Sequence, residues 1–331
     1  MKNKKVVNAV YYSKQILQFI FVIFILSLVV FFMARLAPGD PLRAYYGDGV
    51  ERMNTEQKTF AMEKLGLNEP ILIQYVDWLK SAAEGDFGIS FKYKQEVISV
   101  IDDVYVNTLV LGGTAFVFTF ALALILGVFC ADHEDSRLDR IVCKIGTVTS
   151  VIPSFWVALI LILIFSVNLG LLPTSGAYAL GKSGSISSHL THLILPLTVM
   201  ILGHLWYYAY MVRNRMIDEL CQDYVFLCKA KGVPRRKIVY KHCLHNIMPT
   251  FISLMAISVP HILGGTYVVE QVFSYPGLGS LSFESARYHD YNMLMVLCLI
   301  TGIIVVISNM LAQTISSKID PRIKHDRSEL I

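Results

Sequence analysis

The stretch Arg213–Pro249, RNRMIDELCQDYVFLCKAKGVPRRKIVYKHCLHNIMP, is charged and basic, and long apolar segments flank it on both sides. Its apolar residues recur at steps of three and four, which predicts a helix with one apolar face. This face consists of Ile217, Leu220, Cys221, Tyr224, Val225 and Cys228. Gly232 can adopt the left-handed conformation that ends a helix, and Pro234 follows where a second helix would have its first turn. The pattern predicts a helix–turn–helix outside the membrane, of the kind that docks in a partner's groove.

The composition excludes an ordinary soluble protein. Apolar residues make up 54% of the chain and charged residues only 16%, whereas a soluble domain carries about 25% charged residues. A membrane span needs about 20 apolar residues, and six stretches without Asp, Glu, Lys or Arg are long enough. They are 15–34, 105–130, 145–168, 193–212, 246–269 and 291–315. We therefore expect an all-α polytopic membrane protein with six transmembrane helices.

The distribution of Lys and Arg predicts the orientation of these spans, because short cytoplasmic loops are enriched in both. With the N-terminus inside, the two short outside loops, 169–192 and 270–290, carry one basic residue each. The inside segments 1–14, 131–144, 213–245 and 316–331 carry 4, 3, 8 and 4. Both termini are therefore expected in the cytoplasm. The net charge of +4 reflects these loops and not a surface for nucleic acid.

The same spans predict the division of the chain. Residues 1–34 form the cytoplasmic N-terminus and first span, and 35–104 form a small extracytoplasmic subdomain. Helical spacing predicts two helices in this subdomain, at Met53–Leu65 and Ile71–Ala83. Residues 105–316 form a five-helix core that includes the cytoplasmic loop 213–248, and 317–331 form a cytoplasmic tail.

Seven short motifs follow one another along the chain. They are Ala34–Pro41, Gly66–Pro70, Gly85–Gly88, Leu172–Thr174, His192–Pro196, Ser274–Gly279 and Asp320–Arg322. Together with the 213–249 stretch, they resemble the permease subunits of bacterial ABC importers, and most closely the dipeptide/oligopeptide/nickel branch. The resemblance covers nearly the whole chain and implies the type I importer permease fold.

The resemblance also implies partners and a location in the bacterial plasma (inner) membrane. Such a permease forms half of a translocation path with a homologous second permease. Two cytoplasmic ATPases bind the coupling loops, and they alone bind ATP and Mg, so no cofactor is expected on this chain. An extracytoplasmic substrate-binding lipoprotein delivers the substrate. Di- or oligopeptides are the favoured substrate, with nickel or a metal chelate or opine as the alternative.

Two other classes are more distant. A secondary transporter would place charged residues in its spans for ion coupling, and these spans have none. A membrane scaffold would not explain a helix–glycine–helix between two spans. No arrangement of Ser, His, Asp and Cys suggests catalysis, so the chain is not expected to be an enzyme.

In the family, the 213–248 loop is the EAA loop, which docks on the ATPase. The residues assigned to this coupling are Asp223, Tyr224, Cys228, Ala230, Lys231, Gly232, Arg235 and Arg236. Leu227 and Cys228 stand where family members commonly have small residues, which predicts a bulkier contact.

Three further residues are candidates for the translocation path or its gate. His204 and His261 lie within spans, where polar residues are functional by default. The alternative for each is a satisfied histidine at a helix–helix contact. Glu270 resembles a family position near the outer gate, and the alternative is a carboxylate at the membrane interface.

Two motifs suggest ligands but have simpler explanations. Gly176–Ser183 matches the phosphate-binding pattern GxxxxGK[ST], yet the pattern requires a preceding strand and a following helix, and Leu172-Pro173 and Ser183-Gly184-Ser185 suggest neither. His189 and His192 have the i, i+3 spacing that could hold a metal chelate. A polar cap at the outer end of the fourth span is the favoured explanation for this pair.

Overall fold

The computed structural model describes residues 2–36, 42, 46–64, 66–149, 151–182 and 184–319. Several predictions fall outside these residues: most of the Ala34–Pro41 motif, Ser183, the Asp320–Arg322 motif and nearly all of the tail 317–331. Apart from one isolated antiparallel bridge between Ile89 and Glu96, the described ranges have no β-pairing.

Helices account for most of the described chain. They are α1 (Lys2–Leu36), α2 (Thr55–Lys64), α3 (Ile71–Ala83), α4 (Val97–Asp132), α5 (Arg137–Thr149), α6 (Ser154–Leu161), α7 (Ile186–Leu220), α8 (Asp223–Ala230), α9 (Arg235–Lys237), α10 (Leu244–Val272), α11 (Leu278–Arg287) and α12 (Tyr291–Ile319). A 3₁₀ turn occupies Gly47–Arg52, and π-helical turns at Ile162–Asn168 and Ile238–Cys243 extend α6 and join α9 to α10. Helices are present at both positions predicted for residues 35–104: α3 has the predicted bounds, and α2 begins two residues later than predicted.

The prediction of an all-α membrane protein is confirmed. Five helical segments are long and apolar enough to cross a membrane, and α5 with α6 makes a sixth if this bent pair is one span. The segments Arg137–Thr149 and Ser154–Asn168 meet at an angle of 104°, so the predicted span 145–168 is bent and not one continuous helix. Pro153 explains the break, because it lacks a backbone N–H and disfavours the helical conformation of the residue before it.

The chain divides into two compact units. One unit comprises Met1–Val106 and Ser280–Ile307, and the other comprises Asn107–Gly279 and Ser308–Ile331. In the first unit, α1 packs on α3 around the buried side chains of Phe31, Tyr75 and Met295. The functional division of the chain at residues 34, 104 and 316 stays a prediction.

The second unit contains the main apolar core, built by α4, α7 and α10. Phe120 of α4 contacts Tyr208 of α7 and Phe251 of α10, with ring centroids 4.6 and 5.7 Å apart. Gly127 allows α4 and α7 to approach closely, since a Cβ there would lie 2.6 Å from Val212 Cβ. These three helices carry the candidate site at one end, and a cavity lies between α7 and α10.

Candidate functional site

The first helix of the coupling loop is shorter than its sequence pattern predicts. Ile217 and Leu220 belong to the end of α7, and α8 begins only at Asp223. The break falls at Gln222, whose ψ of 149° is extended. The apolar period continues across the break because both helices pack against the same core, in which Val225 is fully buried. The prediction of one continuous helix over these residues is therefore wrong.

Gly232 ends α8 in the predicted left-handed conformation, with a φ of 71°. The amide of Gly232 donates to the carbonyl of Lys229, and the amide of Val233 donates to the carbonyl of Cys228, both at 3.0 Å. This is the Schellman arrangement, which satisfies carbonyls that a helix end would otherwise leave without partners. A Cβ on Gly232 would meet nothing within 4 Å, so only the backbone conformation requires glycine here.

The second helix of the loop is the beginning of the next span. Pro234 is extended, with a ψ of 140°, and stands one residue before α9 instead of in its first turn. From Arg235 the helix runs through the π-helical turn and α10 to Val272. A force applied to α9 therefore acts directly on a membrane span.

The exposed surface of α8 is apolar with a basic edge. Phe226 and Leu227 are 58% and 54% exposed, and the ammonium of Lys229 lies 5.2 Å from the centre of the Phe226 ring. Most of the predicted coupling residues are exposed beside them. These are Asp223, Ala230, Lys231, Gly232, Arg235 and Arg236, whereas Tyr224 and Cys228 are half-buried. Phe226 was not predicted as part of the site, because it lies off the periodic apolar face.

Glu219 links the coupling loop to two spans. Its Oε1 accepts hydrogen bonds from the Tyr224 hydroxyl at 2.7 Å and from Asn246 Nδ2 at 2.8 Å. One carboxylate at the end of α7 thus holds both α8 and the start of α10. Burial raises the pKa of Tyr224 well above its usual value, and its hydrogen bonds with Cys243 and Glu219 act in the same direction, so the phenol keeps its proton.

Two arginines connect this region to neighbouring helices. Arg235 Nε lies 2.8 Å from Asp132 Oδ1, and Arg235 Nη2 donates to the carbonyl of Asp132 at 2.6 Å. Arg213 binds both carboxylate oxygens of Asp139, at 2.5 and 2.7 Å, and Asp139 is only 2% exposed. The loop is therefore attached to the ends of α4, α7 and α10, and α7 is attached to α5. The sequence does not reveal these pairs, because their members lie 74 and 103 positions apart.

The two candidate path histidines line one cavity. His204 of α7 and His261 of α10 border a space of about 390 Å³, whose polar lining also includes Tyr207, Tyr208 and Ser258. His204 Nδ1 lies 2.9 Å from the carbonyl of Met200, in its own helix. His204 also packs tightly against α10, since a Cβ on Gly265 would lie 2.9 Å from His204 Cε1. His204 thus has features of both sequence-based interpretations, whereas His261 is exposed.

Glu270 is fully buried, with 0% exposure, so its carboxylate is surrounded by protein. Its carboxylate accepts hydrogen bonds from Thr108 Oγ1 and from the amide of Gly279, both at 2.7 Å. Gly277 leaves room for it, since a Cβ there would lie 2.4 Å from the carboxyl carbon. Glu270 therefore holds the Ser274–Gly279 motif against α4.

The other two candidate ligand sites are occupied by internal contacts. His189 Nε2 lies 2.7 Å from the hydroxyl of Tyr275, and His189 Nδ1 lies 3.0 Å from that of Tyr178. His192 Nδ1 lies 2.7 Å from the carbonyl of Ser188. Among the described residues, no group of three or more His, Cys, Asp or Glu side chains is arranged to hold a metal ion. Within 176–182 the amides of Gly176 and Ala179 bond to Phe273 and Ser188 instead of forming a free phosphate cradle.

Comparisons with known proteins agree with this architecture. The chain is 33% identical to the oligopeptide transport system permease protein AppB of Bacillus subtilis (strain 168), with 96% of this chain and all of that protein covered. It is 32% identical to the metal-staphylopine import system permease protein CntB of Staphylococcus aureus (strain NCTC 8325 / PS 47), with 94% of this chain and 98% of that protein covered.

The fold also has a solved counterpart. A chain of the inward-facing MetNI methionine ABC transporter superposes with a TM-score of 0.56 at 16% identity, covering 67% of this chain and 97% of that one. At this identity the similarity concerns the fold alone. Residues 123–325 match the binding-protein-dependent transport system inner membrane component, and residues 10–112 match the N-terminal part of such membrane components. The chain therefore belongs to the family of binding-protein-dependent transport system inner membrane components.

Proposed function

We propose that this chain is the transmembrane permease subunit of an ATP-driven ABC importer and forms half of a path for di- or oligopeptides. The observation that carries the proposal is the coupling loop. Its helix α8 presents Phe226 and Leu227 outward, while Glu219 and Arg235 attach the loop to three long helices. An exposed apolar helix with stiff connections to spans is suited to transmit movement from a partner. Relatives whose names state oligopeptide and peptide transport support the substrate class.

The partners follow from the family. A homologous second permease completes the path, and two cytoplasmic ATPases bind the coupling loops and carry ATP, Mg and its hydrolysis. An extracytoplasmic lipoprotein delivers the substrate. The chain lies in the inner membrane with both termini in the cytoplasm, which places α8 on the side where ATP is available.

The proposed mechanism is a mechanical one. When ATP binding brings the ATPases together, α8 moves with its ATPase and pulls on α7 and α10 through Glu219, and on α4 through Arg235. The cavity between α7 and α10 then changes its access from one membrane side to the other. Inverting a population ratio from 1:99 to 99:1 requires roughly 5.5 kcal/mol of differential binding, so these connections must be stiff.

A metal chelate is the second candidate substrate. The observation that favours it is the cavity in which two imidazoles, His204 and His261, face the same space, because imidazole is a frequent metal ligand. The relative that is named for metal-staphylopine import supports the same alternative.

Purification of the tagged chain from its native membrane tests the function. We expect a second permease and the ATPases to co-purify with the wild-type chain and with Gln222→Asp, a matched change at an exposed polar position of the same loop. Phe226→Asp places a charge in the apolar contact, and we expect it to lose the ATPases while the second permease stays bound. A wild-type chain that purifies alone under mild conditions, without ATPase activity, would instead favour a stand-alone transporter or a scaffold.

A further inference from the structure

Helix α3 carries two apolar stripes, and only one of them is packed against other residues that the structure describes. Ile71, Tyr75 and Trp78 face α1 and belong to the core of the first unit. A second stripe lies beside this face at steps of four and three residues and consists of Leu72, Val76 and Leu79. These side chains are 64%, 48% and 40% exposed. The remaining side carries Asp77 and Lys80, which form an ion pair at 2.9 Å, and also Ile73, which is 45% exposed.

The contacts of Tyr75 set the depth of α3 relative to the membrane. The hydroxyl of Tyr75 lies 2.8 Å from Ser27 Oγ, and its ring centroid lies 5.3 Å from that of Phe31. Ser27 belongs to the apolar span Gln15–Leu36 and lies nine residues before its end, which is roughly 13 Å along a helix. Since a bilayer's hydrocarbon core is about 30 Å thick, Tyr75 reaches deep into one leaflet.

Two side chains mark the outer boundary of this leaflet. The ring centroids of Trp78 and Phe31 lie 5.9 Å apart, and the guanidinium of Arg35 lies 5.3 Å from the centre of the Phe31 ring. Tryptophan and long basic side chains are typical of the level where acyl chains meet headgroups. Helix α3 therefore lies at this level, beside α1. Only 11% of the most apolar part of α1 is buried within the chain.

We propose that α3 is an interfacial helix and that the stripe Leu72–Val76–Leu79 binds the acyl chains of the outer leaflet. Its amphipathic pattern is that of a helix lying in the plane of the interface. Helix α1 beside it is likewise little buried, and the side chains of Asp77 and Lys80 are exposed. The lipid contact follows from the contacts of α3 with α1, and only the choice of leaflet rests on the proposed topology.

Fluorescence quenching by lipid tests the contact. The full chain, with its six cysteines replaced and its partner subunits bound, is labelled with an NBD fluorophore at Leu79→Cys or at the adjacent Lys80→Cys. Both forms are placed in phosphatidylcholine nanodiscs with and without a lipid carrying a nitroxide near the top of the acyl chain. We expect the label at position 79 to be blue-shifted and quenched several-fold more strongly than the label at position 80. Val76→Cys and Asp77→Cys should repeat the contrast.

Two results would overturn the proposal. Equal quenching at positions 79 and 80 would show that the stripe has no preference for lipid. A label at position 79 that is shielded from both the nitroxide lipid and an aqueous quencher would place a protein subunit on the stripe. The leaflet is tested separately with a membrane-impermeant maleimide on intact cells, which should label Lys80→Cys. Labelling only in inverted vesicles would contradict the topology while leaving the lipid contact standing.

Discussion

Gly232 is the residue at which a single substitution should separate folding from coupling. Its φ is 71° and a Cβ would meet nothing within 4 Å, so a substitution acts through the backbone alone. A β-branched residue in the left-handed region costs roughly 1–2 kcal/mol, whereas asparagine adopts this region more readily. We expect Gly232→Val to insert into the membrane normally but to lose most uptake, with ATP hydrolysis no longer linked to transport. Gly232→Asn should keep most uptake, as measured in proteoliposomes.

The outcome for this pair of variants also identifies the cause. Equal losses in the valine and asparagine variants would mean that any side chain at residue 232 obstructs the ATPase, and that the left-handed turn is not the reason for glycine. Residue type alone predicted Gly232, because a local turn fixes its conformation. Glu219 escaped prediction because its role depends on Asn246, 27 positions away, and no local pattern reports such a contact.

At the scale of elements, α11 contacts the 89–96 segment, which lies just before α4 in the chain, through the carboxylate of Glu284. Glu284 pairs with Lys92 and accepts a hydrogen bond from the Tyr93 hydroxyl at 2.6 Å. Burial alone would raise the pKa of Glu284, but the bonds from Lys92 and Tyr93 and the Lys92 charge hold it below its usual 4.5. Because the folded pKa is the lower one, the stabilisation is complete above about pH 4.5 and is lost as the pH falls through the folded pKa.

Hydrogen exchange of a peptide that covers residues 89–96 measures this effect. We expect the protection, corrected for intrinsic exchange rates, to be constant from pH 7 to pH 5 and to fall below about pH 4. Glu284→Gln should lower the protection already at pH 7, and Glu84→Gln, at an exposed position, should not. Protection in Glu284→Gln equal to that of the wild type would show that the carboxylate charge does not hold the segment.

Element boundaries followed the sequence where a local signal marks them. Ile71–Ala83 was predicted as a helix with the bounds that the structure has, because its apolar residues keep helical spacing. The break at Gln222 and the π-helical turn at Ile238–Cys243 were not predictable. The apolar period continues through the break at Gln222, and a π-helical turn has no sequence period that would distinguish it from an α-helix.

At the scale of the whole molecule, the cavity between α7 and α10 connects the fold to the substrate. Composition predicted the spans, and histidines in spans suggested a path, but only the packing of α7 against α10 brings His204 and His261 to one space. If peptides pass through it, His261→Phe should reduce the uptake of bulky peptides about tenfold, the effect of about 1.4 kcal/mol, and small dipeptides less. His133→Phe is the matched control, since His133 is exposed at the end of α4 and does not line the cavity.

Uptake of peptides and of a chelated metal by the same variants distinguishes which substrate class contacts these imidazoles. If the chain imports a metal chelate, His261→Ala should lower the uptake of the chelated metal, because a ligand for its first or second coordination sphere is lost. The same variant should leave dipeptide uptake within a factor of about two, because alanine only enlarges the space. Uptake of both cargoes at the wild-type rate in His261→Phe and His261→Ala would place the path elsewhere. A side chain that lines the path should affect uptake when it is either enlarged or truncated.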